Sequence, residues 1–399
     1  MDYPKYAADI INRLEEHGYE AYIVGGSVRD LLLGKEPNDY DVTTSALPDT
    51  VLNIFSDLRC VPTGIIHGTV TVISQGQPIE VTTFRIDGDY LDQRHPEEVC
   101  FTEDIAKDLS RRDFTVNAMA YNTSHGVIDL FGGRNDLESK IIRAVGDPER
   151  RFSEDALRIL RAFRFSAQLG FDIDGDTLRA AAAKKDGLSR IARERIASEF
   201  TRTICFNTPS TSLFLMIENG IFDFIMGGYI PSVSAVNALG KAPSAEHVRL
   251  GILLCELEKE KARDILLGLR LSNKLISLSL RIADGIRTPC GQSDAEARRF
   301  IGRTQELALD VLEAKRALSC LDADFDKKVR AELAAKHCTN GSELAVNGAD
   351  LVKLGIRGRE VGRTLEYLLS RVLEEPSLNE RDTLLTLAKN RMENITEID

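Results

Sequence analysis

From Phe152 onward the sequence repeats apolar residues at helical spacing, whereas strand-like stretches are confined to the part before it. Those stretches are EAYIVGG (20–26), NDYDVTT (38–44), GTVTVIS (68–74), PIEVTTFR (78–85) and GVIDLF (126–131). This segregation predicts a small α+β or α/β unit over residues 1–140 and an all-helical remainder. Within the first unit, KYAADIINRLEEHG (5–18) and SVRDLLLG (27–34) read as helices closed by glycine. Beyond it, SEDALRILRAFRFSAQLGF (153–171) reads as one long helix with acid in its first turn. DTLRAAAAKK (176–185) and RIARERIASEFTRTIC (190–205) continue the helical pattern, and neither a repeat nor a low-complexity tract interrupts it. A chain of 399 residues accommodates two to four domains with real cores and needs no metal or disulfide staple.

Charge has to be read locally. The net charge is −11, which argues against a polyanionic partner. Residues 1–140, however, carry 12 Lys/Arg against 24 Asp/Glu, whereas residues 141–210 carry 13 against 10. Screening limits electrostatic attraction to about 10 Å, so this basic segment can serve a polyanion despite the total. The seven cysteines (60, 100, 205, 255, 290, 320, 338) include no Cys-x-x-Cys pair, and the six histidines show no ligand spacing. Reduced thiols, no apolar run of membrane-spanning length and no basic leader at the start predict a soluble cytoplasmic protein.

Four segments carry chemistry. In a strand, Asp39 and Asp41 would point to one face, where two carboxylates repel unless a cation such as Mg²⁺ lies between them. A bare Asp-x-Asp is more often a solvated strand edge. Here it follows Gly25-Gly26-Ser27-Val28-Arg29, where glycines permit close backbone approach to a phosphate and Ser27 and Arg29 add donors. Glu80, on a neighbouring strand, is either a third carboxylate or an exposed polar position. In Arg111-Arg112-Asp113-Phe114-Thr115-Val116-Asn117 the arginines suit a triphosphate, and Asp113 and Asn117 suit ribose hydroxyls; a solvated turn is the plain alternative. In Glu154-Asp155-x-x-Arg158-x-x-Arg161-x-x-Arg164, an Asp155–Arg158 ion pair would be worth about 0.5 kcal/mol or less. Alternatively, a carboxylate accepting from an amine beside a guanidinium donating to a ring nitrogen matches the pairing edge of cytosine and adenine. That pair would reject uracil and guanine, at roughly 1–3 kcal/mol per unpaired group.

In order along residues 22–200, GGSVRDLLLG…DYD, RRDFTVNAM, DLFGGRNDL, EDALRILRAFRF and RERIASEF resemble the class II tRNA nucleotidyltransferases and bacterial poly(A) polymerases. These belong to the polymerase β-like nucleotidyltransferase superfamily. The resemblance implies an α+β fold with a mixed-sheet catalytic head (1–142) and a helical base-reading neck (143–205). A helical body (206–315) and a tRNA-binding tail (316–399) would follow. It implies catalytic Mg²⁺ on Asp39 and Asp41 and phosphate contacts at Gly26 and Arg29, beside which the residues themselves offer Glu80 as a candidate catalytic carboxylate and Gly25 and Ser27 as candidate nucleotide contacts. Arg111, Arg112, Asp113 and Asn117 would hold phosphates and ribose, Asp155 and Arg158 would read the base, and Arg161 and Arg164 would support it. FGGRNDL around Arg134 would link head to neck, and the element from Arg193 to Glu199 would support the base-reading helix.

The activity implied is addition of C, C and A to the 3′ end of tRNA from CTP and ATP. The body and tail would grip the acceptor and TΨC arms, with no membrane and no obligate protein partner. The stretch from Asp87 to Phe101, Ile66-His67-Gly68-Thr69-Val70 and the acidic ending NITEID favour complete CCA addition over CC-only or poly(A) products. An A-adding enzyme or poly(A) polymerase of the same family is the near alternative. A non-catalytic RNA- or nucleotide-binding protein is the distant one.

Overall fold

The computed structural model describes residues 3–87 and 99–396, and contacts divide it into two units, residues 1–230 and 231–399. The first begins with α1 (Lys5–Glu16), whose Ala7, Ile10, Ile11 and Leu14 are buried at helical spacing. Next come β1 (Ala21–Val24), α2 (Gly26–Leu32), β2 (Val42–Thr44) and α3 (Pro48–Ile54). They are followed by β3 (Arg59–Gly64), β4 (Thr69–Ser74), β5 (Gln77–Thr83), β6 (Arg85–Asp87), β7 (Val99–Phe101) and α4 (Ile105–Ser110). After β8 (Met119–Asn122), β9 (Gly126–Asp129) and α5 (Gly133–Ser139), helices take over.

Seven strands form one sheet in the order β3-β4-β5-β2-β1-β8-β9. Every neighbouring pair is antiparallel except β2 and β5, so the sheet is mixed, as the head was expected to be. In β5 the side chains alternate, with Ile79, Val81 and Thr83 buried and Glu80 exposed. Helices α1 and α3 pack on β4. The opposite face is open around Glu80 but covered around Tyr22, Val24 and Ala120, which are buried with Phe84 and Leu109. Strand NDYDVTT is shorter than its alternation predicts: only Val42–Thr44 pairs as β2, and residues 38–41 lead into it as irregular chain. Residues 88–98, in the stretch expected to bear on A addition, lie outside the described residues.

The long helix expected over 153–171 is two helices, α6 (Pro148–Glu154) and α7 (Leu157–Leu169). Asp155 between them is extended, with φ −141° and ψ 106°. Its carboxylate accepts from the Leu157 amide at 2.9 Å, so a helix-capping side chain interrupts the periodic pattern. Before and after these lie two short strands, β10 (Ile141–Ile142) and β11 (Asp172–Ile173), which pair in parallel; β11 falls inside the region read as helical. Helices α8 (Gly175–Lys184), α9 (Arg193–Cys205), α10 (Pro209–Glu218) and α11 (Asp223–Met226) complete this unit.

The second unit is helical throughout its described residues. Its C-terminal helices share an apolar cluster that includes Val346, Leu351, Ile356, Leu368, Val372 and Leu384. The buried Arg298–Glu332 pair (2.6 Å) stands close by, with Arg298 also donating to the Leu373 carbonyl. All seven cysteines are free thiols, and among the described residues no helix is long and apolar enough to cross a membrane.

FGGRNDL owes its second glycine to close packing. A Cβ on Gly133 would stand 2.3 Å from the Thr115 carbonyl oxygen and 2.9 Å from Met119 Sδ, so α5 could no longer approach the turn at 115–117. Gly133→Ala should therefore destabilise the protein by about 1–3 kcal/mol, measured as a lower urea midpoint with an unchanged m-value.

Candidate active site

Three parts of the head and two helices beyond it meet at one place. The turn after β1 is set by Gly25, at φ +76°, whose amide donates to the Met119 carbonyl at 3.2 Å. A side chain there would crowd Arg112, since a Cβ would lie 3.2 Å from its Nη1. Helix α2 then carries Arg29 into the interior, where it is 4% exposed. Arg29 donates to both Asp30 oxygens at 2.8 and 3.0 Å and to Asn117 Oδ1 at 2.8 Å. Ser27, expected to face a phosphate, instead donates its hydroxyl to the Val24 carbonyl at 3.0 Å and is buried.

Asp39 and Asp41 lie in the chain entering β2. Although this chain is not strand, exposure alternates along it: Asp39 and Asp41 outward, Tyr40 and Val42 inward. The two carboxylates thus share a side by the same geometry a strand would impose. Asp41 is tied to β1 through its carbonyl, which accepts from Val24 at 3.0 Å, and one step along the parallel β2–β5 register sets it opposite Glu80. Loss of water raises the Asp41 carboxyl to about 6, with Asp39 and then Glu80 adding repulsion and Arg112 opposing them. Among the described residues no three His, Cys, Asp or Glu side chains form a metal-holding group, and the charge of Glu80 is felt at Asp41. Two carboxylate oxygen donors held against their own repulsion nevertheless fit a hard divalent cation whose remaining ligands are water and substrate phosphate.

The third part is the turn after α4. Asp108, fully buried, accepts from Arg111 Nε and Nη2 at 3.0 and 2.8 Å, from Arg112 Nη2 at 3.2 Å and from the Arg85 amide at 3.3 Å. Burial raises this carboxyl, but Arg112 and Arg111 outweigh it and hold it below the ordinary range. Arg112 Nε is buried without an acceptor, leaving a donor uncommitted beside the Gly25 turn. Asp113, also buried, accepts from the Phe114 amide at 2.9 Å and from Arg161 Nε at 2.7 Å. Its carboxyl too is lowered, with Arg161 overcoming burial.

The neck helices close the group. Asp155 and Arg158 do not pair with each other. Asp155 Oδ2 accepts from Arg195 at 3.1 Å, and Arg158 donates to Glu154 at 2.7 Å and to the Arg111 carbonyl at 3.0 Å. Arg161 reaches Asp113, and Arg164 meets Glu199 at 2.5 Å. Sequence reasoning thus found the guanidiniums but gave no role to the carboxylates Asp108 and Glu154, nor to Arg195 acting on Asp155. Glu199, quoted only as part of a supporting element, is the direct partner of Arg164. The available signal was the excess of Arg in 141–210, which demanded buried counter-charges at helical spacing.

Such a site holds cations ready for a polyphosphate beside carboxylates ready for a metal, which is the make-up of a nucleotidyltransferase centre. The family model for the poly A polymerase head domain matches residues 21–143. Models for a probable RNA- and SrmB-binding site of polymerase A and for the putative tRNA nucleotidyltransferase domain 2 match residues 170–235 and 244–388. The chain is 35% identical to the CCA-adding enzyme of Leuconostoc mesenteroides over 96% of its own length and 95% of the relative's. It is 37% identical to that of Lacticaseibacillus paracasei, over 96% of both. Among solved structures, the Bacillus stearothermophilus CCA-adding enzyme in complex with CTP superposes with a TM-score of 0.85, 31% identity and full coverage of both chains. The chain belongs to the CCA-adding enzyme family of tRNA nucleotidyltransferases.

Two outcomes follow from this geometry. Because the folded Asp41 holds its proton up to about pH 6 against an ordinary 3.8, ionising it opposes folding, and that cost is present in full above pH 6. Asp41→Asn should therefore raise the Tm of the metal-free protein more at pH 8 than at pH 5, and an equal gain at both would contradict the raised carboxyl. Glu199→Ala leaves Arg164 buried and unpaired and should cost about 3–5 kcal/mol in denaturant unfolding.

Proposed function

We propose that this chain adds C, C and A to the 3′ end of tRNA, using CTP and ATP without a nucleic-acid template. The observation that carries this reading is the convergence of Asp39 and Asp41 with Arg29 and Arg112 in a chain related over its full length to CCA-adding enzymes. Arg29, Arg111 and Arg112 hold the triphosphate, with the Gly25-Gly26 turn allowing close approach. Asp113 and Asn117, each already engaged with an arginine, act by fixing Arg161 and Arg29.

Asp39 and Asp41 hold Mg²⁺, which when bound lowers the barrier to phosphoryl transfer and neutralises charge on departing pyrophosphate. The tRNA 3′ hydroxyl attacks the α-phosphate in line, and the arginines orient the nucleotide for that attack. Asp155 and Arg158 read the base, which requires Asp155 to exchange its Arg195 contact for the base amine and Arg158 to turn from Glu154 to the ring nitrogen. The head, neck, body and tail span 1–142, 143–205, 206–315 and 316–399, and the last two grip the acceptor and TΨC arms by shape and phosphate contacts. The work is done in the cytoplasm without an obligate protein partner.

Three tRNA transcripts test this, ending at the discriminator base, at CC and at CCA, each incubated with all four nucleotides and Mg²⁺ and sequenced at the 3′ end. CCA on the first and arrest on the third is expected, with no extension by Asp39→Ala. Extension of only the CC-ending transcript would make this an A-adding enzyme, long A tails a poly(A) polymerase, and no extension a binding protein. Asp155→Ala and Arg158→Ala should reduce the preference for C and A over U and G about tenfold or more. Unchanged selectivity would remove them from base reading.

A further inference from the structure

One aromatic ring stands among the site's cations. The guanidinium carbons of Arg29, Arg161 and Arg164 lie 5.6, 5.2 and 4.0 Å from the centroid of Phe165. Arg29 comes from α2 in the head, whereas Arg161 and Arg164 flank Phe165 on α7. The ring is 6% exposed and is fixed by an edge-on contact with Phe114, at 5.7 Å and 76°. Phe114 is fully buried and directly follows Asp113, the carboxylate that holds Arg161.

Three like charges this close repel, and their hydrogen-bond partners draw them apart. Asp30 and Asn117 hold Arg29, Asp113 holds Arg161, and Glu199 holds Arg164. Among the described residues Phe165 is the group that all three approach. An aromatic face carries negative electrostatic potential, so it attracts each guanidinium without accepting a hydrogen bond from it. The ring engages none of the guanidinium N–H groups, so those not already bonded to Asp30, Asn117, Asp113, Glu199 and Gln168 stay open to an anion while the charges stay gathered. A carboxylate in the same place would gather them equally well, but it would compete with the ligand for the same N–H groups and add the charge that repels phosphate.

We infer that Phe165 is a positioning residue for nucleotide binding, its ring face acting as a neutral counter-surface that keeps Arg29, Arg161 and Arg164 assembled before the triphosphate arrives. This rests on the reading of the site as a nucleoside triphosphate pocket. The alternative for an aromatic residue on a buried helical face is plain packing, which depends on volume and not on ring electronics. The two differ in what fluorine does: it withdraws electron density from the ring face and barely changes its size.

The test replaces Phe165 with phenylalanines carrying one, two and three ring fluorines, and measures Kd for CTP and ATP by calorimetry beside Tm. Affinity for both nucleotides should fall about two- to threefold per fluorine, with Tm constant to about 2 °C. A flat series overturns the inference, and so does an affinity loss that tracks a falling Tm. In steady-state assays Phe165→Tyr should keep the wild-type KM, whereas Phe165→Leu should raise it about tenfold and change kcat less than threefold. A kcat loss with unchanged KM would overturn the inference, and the fluorinated series decides should the Leu variant fail to fold. If wild-type protein binds neither nucleotide, the triphosphate reading itself fails; if it binds and the series is flat, only the role of Phe165 does.

Discussion

The pair between Arg161 and Asp113 joins the two halves of this site. Asp113 belongs to the turn that also presents Arg111 and Arg112, and Arg161 belongs to the helix that starts at the Asp155 break. At 2.7 Å and with Asp113 buried, the pair sets the distance between the Arg111–Arg112 turn and α7. Arg158, donating to the Arg111 carbonyl, fastens the same two segments a turn earlier along α7. Losing either partner would leave an isolated charge in a place poor in water, which is far costlier than the pair is favourable. The spacing of these two segments is therefore held by contacts within the protein itself.

Much of this was legible from residue order. The alternation in TVTVIS and PIEVTTFR gave β4 and β5, because a sheet with one covered face demands it. Asp39 and Asp41 share a side by the same period of two, although their segment is not strand; buried Tyr40 and Val42 hold the alternation up to the start of β2. What could not be read was the break at Asp155. Apolar spacing runs evenly through Phe152, Ala156, Leu157 and Leu160, and nothing in it says that one carboxylate will bind a backbone amide and end the helix.

Pairing choices were equally hidden. Asp155 and Arg158 stand three residues apart, where a helix would let them meet, yet each takes a partner elsewhere: Arg195 in one case, Glu154 and a head carbonyl in the other. Spacing rules describe neighbours on one helix, while buried charges are matched in three dimensions by whatever packs against them. The same holds for Asp108, an ordinary acid in sequence that in the fold gathers two arginines and the first amide of β6. Ser27 has a partner that residue order did not show: its hydroxyl in the glycine-rich turn donates to the Val24 carbonyl.

The partners on α9 arrive late. Arg195 reaches Asp155 across 40 residues of chain, and Glu199 reaches Arg164 across 35. A ribosome emits residues from one end, so for a time the nascent chain presents α7 with its arginines and no counter-charge from behind. Until α9 emerges, Arg164 lacks its carboxylate and Asp155 its guanidinium, although Arg161 and Arg158 already have Asp113 and Glu154. The two ends of α7 are thus completed only after the polypeptide has grown well past the head, a built-in delay between making that unit and finishing what packs against it.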